Sequence, residues 1–200
     1  MINILIIFIL ILVFIGWLFV LFLVFETVVW SIKRIAPPLP SQRKMRTAVI
    51  CEIAKHYSDA GSAIDIGSGY GGMARTVARK FPKMRVLGVE LMPMEFFCSK
   101  LFCLLFGPKN CSFAFGDVIK FIESRPEKEF DIAVCYSGTA LMKSISPMAN
   151  KFKVVLSLDF PLPDHTPVRT IKLHKDGLGQ HYLYIYENQG RLRKQTKSYK

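Results

Sequence analysis

The chain has 200 residues, room for one domain of ordinary size plus an appendage. Hydrophobic residues make up 51% and the formal net charge is +12, but the apolar excess lies at the N-terminus and the basic excess in a linker and a tail. Such clustering, without interleaved aromatics, argues against a nucleic-acid partner, and five cysteines with no C-x-x-C pair argue against a disulfide scaffold.

Ile4 to Phe25 is an unbroken apolar run. At about 1.5 Å per residue it spans roughly 33 Å, enough for the roughly 30 Å hydrocarbon core of a bilayer. A cleaved signal peptide would want a basic n-region and a small-residue cleavage site. Met1 to Asn3 carry no basic side chain and no A-x-A-like site follows, so residues 1–31 are expected to be a retained membrane anchor. Trp30 is expected at an interface and Glu26 among the far headgroups. Lys33, Arg34, Arg43, Lys44 and Arg46 follow, which puts the rest of the chain on the cytoplasmic side, at the inner membrane if the source is bacterial. These cations also suit anionic headgroups.

Residues 32–40 form a linker, stiffened by Ala36-Pro37-Pro38-Leu39-Pro40. A folded domain is expected over 41–190. Ser41 is the candidate N-cap of its first helix. Met45, Ala48, Val49 and Ile53 give that helix an apolar stripe to about Tyr57, and it is expected to cover the cofactor side of a sheet.

Ala63 to Ile66 reads as a buried strand that stops in a glycine loop, Gly67-Ser68-Gly69-Tyr70-Gly71-Gly72. Met73, Ala74, Val77 and Ala78 then recur at helical spacing. A strand, a glycine loop and a helix N-terminus present bare backbone N–H groups to a ligand. Gly67, Gly69 and Gly72 satisfy G-x-G-x-x-G, a pattern of dinucleotide sites. Asp65 discriminates. A carboxylate at the strand end repels a pyrophosphate and attracts a ligand with an ammonium group. S-adenosylmethionine carries an ammonium and a sulfonium and no phosphate.

Arg85 to Glu90 is the second strand. A carboxylate at its tip suits the ribose hydroxyls of any adenine nucleoside, so Glu90 does not choose between cofactors. Pro93 opens a helix whose Phe96, Phe97, Leu101, Phe102, Leu104 and Leu105 are expected to face the core. Cys111 to Phe115 is the third strand, with Gly116-Asp117-Val118 at its tip. Asp117 also suits the N-cap of a short helix to Glu123.

Phe130 to Cys135 is the fourth strand, followed by Tyr136, Ser137 and Gly138. In doubly wound sheets the ligand lies beyond the carboxyl ends of the strands, where these residues sit. Phe152 to Leu158 is the fifth strand. Val168 to Lys175 and His181 to Glu187 flank Asp176-Gly177, a hairpin pattern. Only Asp159 to Pro167 joins the fifth strand to this hairpin, and no helix fits there. A parallel crossover usually takes a dozen or more residues, so a displaced or irregular sixth strand is expected. Residues 191–200 form a basic tail. His56, His165, His174 and His181 show no metal-ligand spacing, and no metal is expected. The cysteines read as small buried hydrophobes.

The fold class is thus α/β. It is a doubly wound, mostly parallel, seven-stranded Rossmann-like sheet ending in an antiparallel hairpin, preceded by one transmembrane helix. From Asp65 to Gly71 the chain resembles the class I, seven-strand methyltransferases. That resemblance implies S-adenosylmethionine as cofactor. It implies cofactor-binding roles for Asp65, Gly67, Ser68, Gly69, Gly71, Glu90, Leu91, Asp117, Val118 and Tyr136. In the resembling enzymes the acid at the third strand tip hydrogen-bonds the adenine amino group, and the following backbone N–H meets the ring.

Four features together narrow the resemblance: the apolar run, Pro37 to Pro40, the Asp65 to Gly71 motif, and Phe160-Pro161-Leu162-Pro163 with Pro167-Val168. The chain looks like the small membrane-anchored protein lysine methyltransferases that modify the mitochondrial adenine nucleotide translocase and the ATP synthase c-subunit, and like their bacterial relatives. It departs from them at Tyr70 and Gly72, where the family usually carries an acid and an arginine. The resemblance implies a lysine of a membrane protein as acceptor. Tyr136, Asp159 and Phe160 are the candidate acceptor pocket. Methylation of a lipid or quinone-like molecule stays open, with the Pro93–Phe106 helix lining its access, as does a catalytically degenerate, membrane-tethered binding module. An NAD-dependent oxidoreductase is disfavoured by Asp65 and by the lack of a second domain.

Overall fold

The computed structural model describes residues 2–33, 41–126, 129–177 and 179–188. The Pro-rich linker, the basic tail and the side chains of Glu26 and Trp30 lie outside the described residues. Two compact units divide the chain, Met1–Pro37 and Pro38–Lys200.

The first unit is one helix, α1 (Ile2–Lys33). Its segment Ile4–Phe25 is long and apolar enough, by length and composition, to cross a membrane. Apart from the half-buried Phe22, the large side chains of this segment stand exposed.

The second unit is built on a seven-stranded sheet in the order β3-β2-β1-β4-β5-β7-β6. Its strands are β1 (Ser62–Ile66), β2 (Arg85–Glu90), β3 (Cys111–Phe115), β4 (Ile132–Cys135), β5 (Val154–Leu158), β6 (Arg169–Asp176) and β7 (Gly179–Glu187). The first five run parallel, and β7 lies antiparallel between β5 and β6. The helices are α2 (Arg43–His56), α3 (Gly72–Lys80), α4 (Pro93–Phe106), α5 (Val118–Glu123) and α6 (Thr139–Ile145), with a 3-10 turn at Ser146–Lys151.

β1, β4 and β5 are buried along their whole length, which explains why they read as continuous apolar runs rather than alternating ones. Alternation still divides their side chains. Ala63, Ile132, Val134 and Leu156 pack with Met45, Val49 and Ile53 of α2 and with Met73, Ala74 and Val77 of α3. Ile64, Ile66, Ala133, Cys135 and Val155 pack on the other face with Ile122 of α5 and Met142 and Ile145 of α6. The strand order reverses between β1 and β4, and the crevice above that switch point is where an open α/β sheet takes its ligand.

Two expectations are corrected and one is borne out. The first cap of α2 is Gln42, without a side-chain cap bond, not Ser41. Ser41 instead accepts the Arg46 guanidinium through its carbonyl. The sixth strand is displaced, as its short connection required: β6 takes the sheet edge and pairs with β7 alone, with an irregularity between Lys172 and Lys175. The connection turns on two residues with left-handed backbone, Asp159 (φ 61) and Asp164 (φ 60). The second correction is α4, whose large apolar residues do not face the core. The described residues of α4 that are buried are Glu95 and Ser99.

Ile64 is wholly buried at the centre of the sheet. Ile64→Ala should lower unfolding free energy by about 2–5 kcal/mol, read as a shifted midpoint in chemical unfolding of the full chain in mild detergent.

Candidate functional site

The glycine loop leaves β1 at Ile66 and returns into α3 at Gly72. Gly67 (φ 68), Gly69 (φ 52) and Gly71 (φ 72) all take left-handed backbone, where other residues are strained. Space excludes side chains as well. A Cβ on Gly67 would stand 2.8 Å from Ser137 Oγ, at the end of β4. A Cβ on Gly71 would stand 2.6 Å from Phe113 Cε1. The Phe113 ring also lies over Gly88 of β2, where a Cβ would meet Cε1 at 2.5 Å and Ser68 Oγ at 2.8 Å. Phe113 was not a sequence candidate, because an aromatic in a strand carries no motif.

Glu90 fastens the loop to the tip of β2. Its Oε2 accepts from the Gly69 N–H at 2.6 Å, and its Oε1 accepts from the N–H groups of Leu91 (2.8 Å) and Met92 (2.9 Å). A carboxylate has roughly four lone-pair directions, so one remains for a ligand hydroxyl. Ser68 is buried and its Oγ has no hydrogen-bond partner, an orphan polar atom at the loop.

Asp65 is buried beneath the loop and accepts from the Ala74 N–H of α3 at 3.0 Å. Burial pushes its carboxyl up to about 7. The Ala74 bond pulls it back and the charge of Glu90 adds to the rise. Asp117 caps α5, accepting from the Ile119 N–H at 2.8 Å through Oδ1. Gly116 hydrogen-bonds the Glu90 carbonyl at 2.9 Å, which sets Asp117 and the buried Val118 beside the β2 tip. Asp65, Ser68, Gly69, Glu90, Leu91, Asp117 and Val118 therefore line one edge of the sheet, at the carboxyl ends of β1, β2 and β3.

A second cluster lies beyond β5 and β7. Asp159 Oδ2 accepts from His181 Nδ1 at 2.7 Å, and Oδ1 accepts from the Tyr182 N–H at 2.9 Å. His181 is buried, and its Nε2 is 3.0 Å from Asp176 Oδ2. The hydrogen bond to Asp159 raises the His181 pKa; burial opposes it and Asp176 assists. Gln42 joins α2 to this cluster, donating to Asp176 Oδ2 and lying 2.5 Å from His174 Nε2 through its carbonyl oxygen. Tyr136 at the end of β4 is close enough that, after burial, the charges of Asp159 and Asp176 raise its pKa.

Tyr136 and Asp159 stand just past the carboxyl ends of the neighbouring strands β4 and β5, and Phe160 turns away from them. Tyr136 packs with the α2–α3 face of the sheet and Phe160 with the α5–α6 face. His174, Asp176, His181 and Gln42 were missed by sequence spacing. Counting outward from the turn would have found the first three: Asp176 pairs with Gly179 and Lys175 with Gln180, so His174 falls beside His181. One donor atom from each of His174, Asp176 and His181 lies within 4.8 Å of the others, a spacing that ligands of one cation can have.

No protein-family model and no curated protein sequence matches the chain. Solved structures do. An RNA methyltransferase from Salinibacter ruber, in complex with S-adenosyl-L-homocysteine, aligns with TM-score 0.60 and 19% identity over 74% of this chain and 93% of that one. The precorrin-6y C5,15-methyltransferase of Geobacter metallireducens aligns with TM-score 0.59 and 15% identity, over 76% and 93%. A putative O-methyltransferase of Klebsiella pneumoniae aligns with TM-score 0.59 and 12% identity, over 76% and 83%. The second unit has the α/β methyltransferase fold.

Asp65 supplies a pH prediction. Its folded pKa is raised, so between about 4 and about 7 the folded state holds a proton that the unfolded chain releases. Stability of the wild type falls as pH rises through that window. The neutral Asp65→Asn variant escapes the fall, so its stability relative to wild type should grow from pH 4 to 7, to roughly 4 kcal/mol, and level off above. Denaturant titrations at several pH values check this.

Proposed function

We propose that the protein is an S-adenosylmethionine-dependent methyltransferase, held at a membrane by Ile4–Phe25, that methylates a lysine of a membrane protein. The observation that carries the cofactor is the arrangement of Asp65, the glycine loop and Glu90 at the switch point of a methyltransferase-type sheet. Asp65 faces the ammonium of the methionine part. The remaining lone pair of Glu90 takes a ribose hydroxyl. Asp117 and the Val118 N–H meet the adenine. The orphan Ser68 Oγ offers one further donor. Bound S-adenosylmethionine supplies an electrophilic methyl group on sulfur.

The acceptor reading rests on the cluster of Tyr136, Asp159, His181 and Asp176. Two carboxylates at the site edge attract a lysine ammonium. Asp159, hydrogen-bonded to His181 Nδ1, is the carboxylate that would take the proton the lysine loses. With S-adenosylmethionine held by Asp65, the glycine loop and Glu90, the neutral amine would take the methyl group from sulfur, and S-adenosylhomocysteine would be the other product. Tyr136 walls the pocket between amine and cofactor. A lipid acceptor reached along α4 is less well supported. α4 packs on β2 and β3, whereas the acidic cluster lies by β5, β6 and β7 at the opposite edge of the sheet. By the basic residues after the anchor, the enzyme domain faces the cytoplasm.

Calorimetric titration of the full chain in detergent should show binding of S-adenosylmethionine and S-adenosylhomocysteine and none of NADH. Glu90→Ala should weaken that binding by about 1–3 kcal/mol, the range for a lost buried or charged hydrogen bond. NADH binding alone would overturn the cofactor. For the acceptor, membranes incubated with the enzyme and methyl-radiolabelled cofactor should yield label in methyl-lysine after acid hydrolysis. Asp159→Asn should cut that incorporation by about tenfold or more while leaving cofactor affinity near wild type. Label that partitions into organic solvent instead would transfer the assignment to a lipid.

A further inference from the structure

Helix α4 is turned inside out. Its buried residues are Glu95 and Ser99. Phe97, Leu101, Phe102, Leu104, Leu105 and Phe106 are exposed by 42% to 81%. A helix on a water-soluble surface buries the opposite set. The apolar face continues onto edge strand β3, where Phe115 is exposed and its ring lies 5.5 Å from that of Phe96. Monomeric soluble proteins rarely leave so continuous an apolar patch open.

The rim of the patch is cationic. The Arg75 guanidinium stands 5.8 Å over the Phe102 ring, and Arg79 donates to the Phe106 carbonyl at 3.0 Å. Lys100 Nζ is 5.6 Å from the Phe96 ring. Lys80 and Lys109 are exposed nearby in sequence. From Arg75 to Phe115 the only carboxylates are Glu90 and Glu95, and both are buried.

We propose that this face docks on an anionic bilayer surface, with the phenylalanines and leucines of α4 in the headgroup–acyl boundary and Arg79, Lys100 and Lys109 on lipid phosphates. Apolar residues over a basic rim are what an interfacial helix presents to such a surface. A second copy is a poorer occupant. Two such faces meeting would set cation against cation, with no exposed carboxylate of that stretch to pair them. α4 begins directly after Met92, whose amide Glu90 holds, so docking sets against the membrane the helix that leads away from the β2 tip. The inference rests on the reading of Ile4–Phe25 as a span, which brings the bilayer within reach.

The test uses the full chain in liposomes of phosphatidylcholine and phosphatidylglycerol, with and without bromine on the acyl chains. The chain has two tryptophans, Trp17 and Trp30. Quenching of these native indoles by brominated lipid reports the anchor. A Trp17→Phe/Trp30→Phe/Leu104→Trp variant carries one indole, on α4. Its fluorescence should fall at least twofold in brominated liposomes. The same background with Lys143→Trp, exposed on α6, should be unquenched. Quenched native indoles with an unquenched Leu104→Trp variant would overturn the docking and leave the anchor standing. Acrylamide then tells whether the indole is open to water or shielded by a second copy, and either result counts against the bilayer. Unquenched native indoles would overturn the span and this proposal with it.

Discussion

The carboxylate of Glu90 is the constraint on which the site depends. It draws three backbone amides, from Gly69, Leu91 and Met92, onto one side chain. One amide belongs to the loop after β1 and two belong to the turn after β2, so a single residue ties together two strand tips. Backbone N–H groups buried without partners are costly, and Glu90 removes that cost while keeping the loop open above it. The glycines make the arrangement possible, since Phe113 lies where side chains at Gly71 and Gly88 would go. The same charge acts on Asp65, adding to the burial that lifts the Asp65 carboxyl toward neutrality. Two acids thus share one crevice with different partners, Glu90 holding three amides and Asp65 one, from Ala74.

The far end of the sheet is organised by a second carboxylate under strain. Asp159 adopts a left-handed backbone at φ 61, which costs a non-glycine residue of order 1–3 kcal/mol. Its side chain offsets that cost with hydrogen bonds to His181 and the Tyr182 amide, and its own N–H donates to the Tyr182 carbonyl at 2.9 Å. The turn at Asp159 is what lets a connection without a helix leave β5 and reach the sheet edge, beyond β7. The same conformation holds the carboxylate in the cluster with His181 and Asp176. Chain path and the geometry of this cluster are therefore set by one residue. α2 completes this end: Gln42 reaches Asp176 and His174, and Arg169 of β6 pairs with Glu52 and lies 3.1 Å from the Tyr57 hydroxyl.

The amino-acid sequence determined the sheet strands, the glycine loop and the acids Asp65, Glu90 and Asp117. Each of these is a local property. A buried parallel strand reads as an apolar run, a tight loop with several residues at φ above zero favours glycine, and an acid at a strand tip is visible beside both. The apolar length of Ile4–Phe25 and the strange shortness of the Asp159–Pro167 connection were legible on the same ground. What only the tertiary structure decided was which residues meet. Spacing along the chain could not bring Gln42 to His174 and Asp176, or His181 to Asp159, because a sheet crossing separates them. Nor could periodicity tell which way α4 faces. Its apolar residues are too many to mark a single stripe, and the sheet surface it packs on decided that Glu95 and Ser99 turn inward and the leucines and phenylalanines outward.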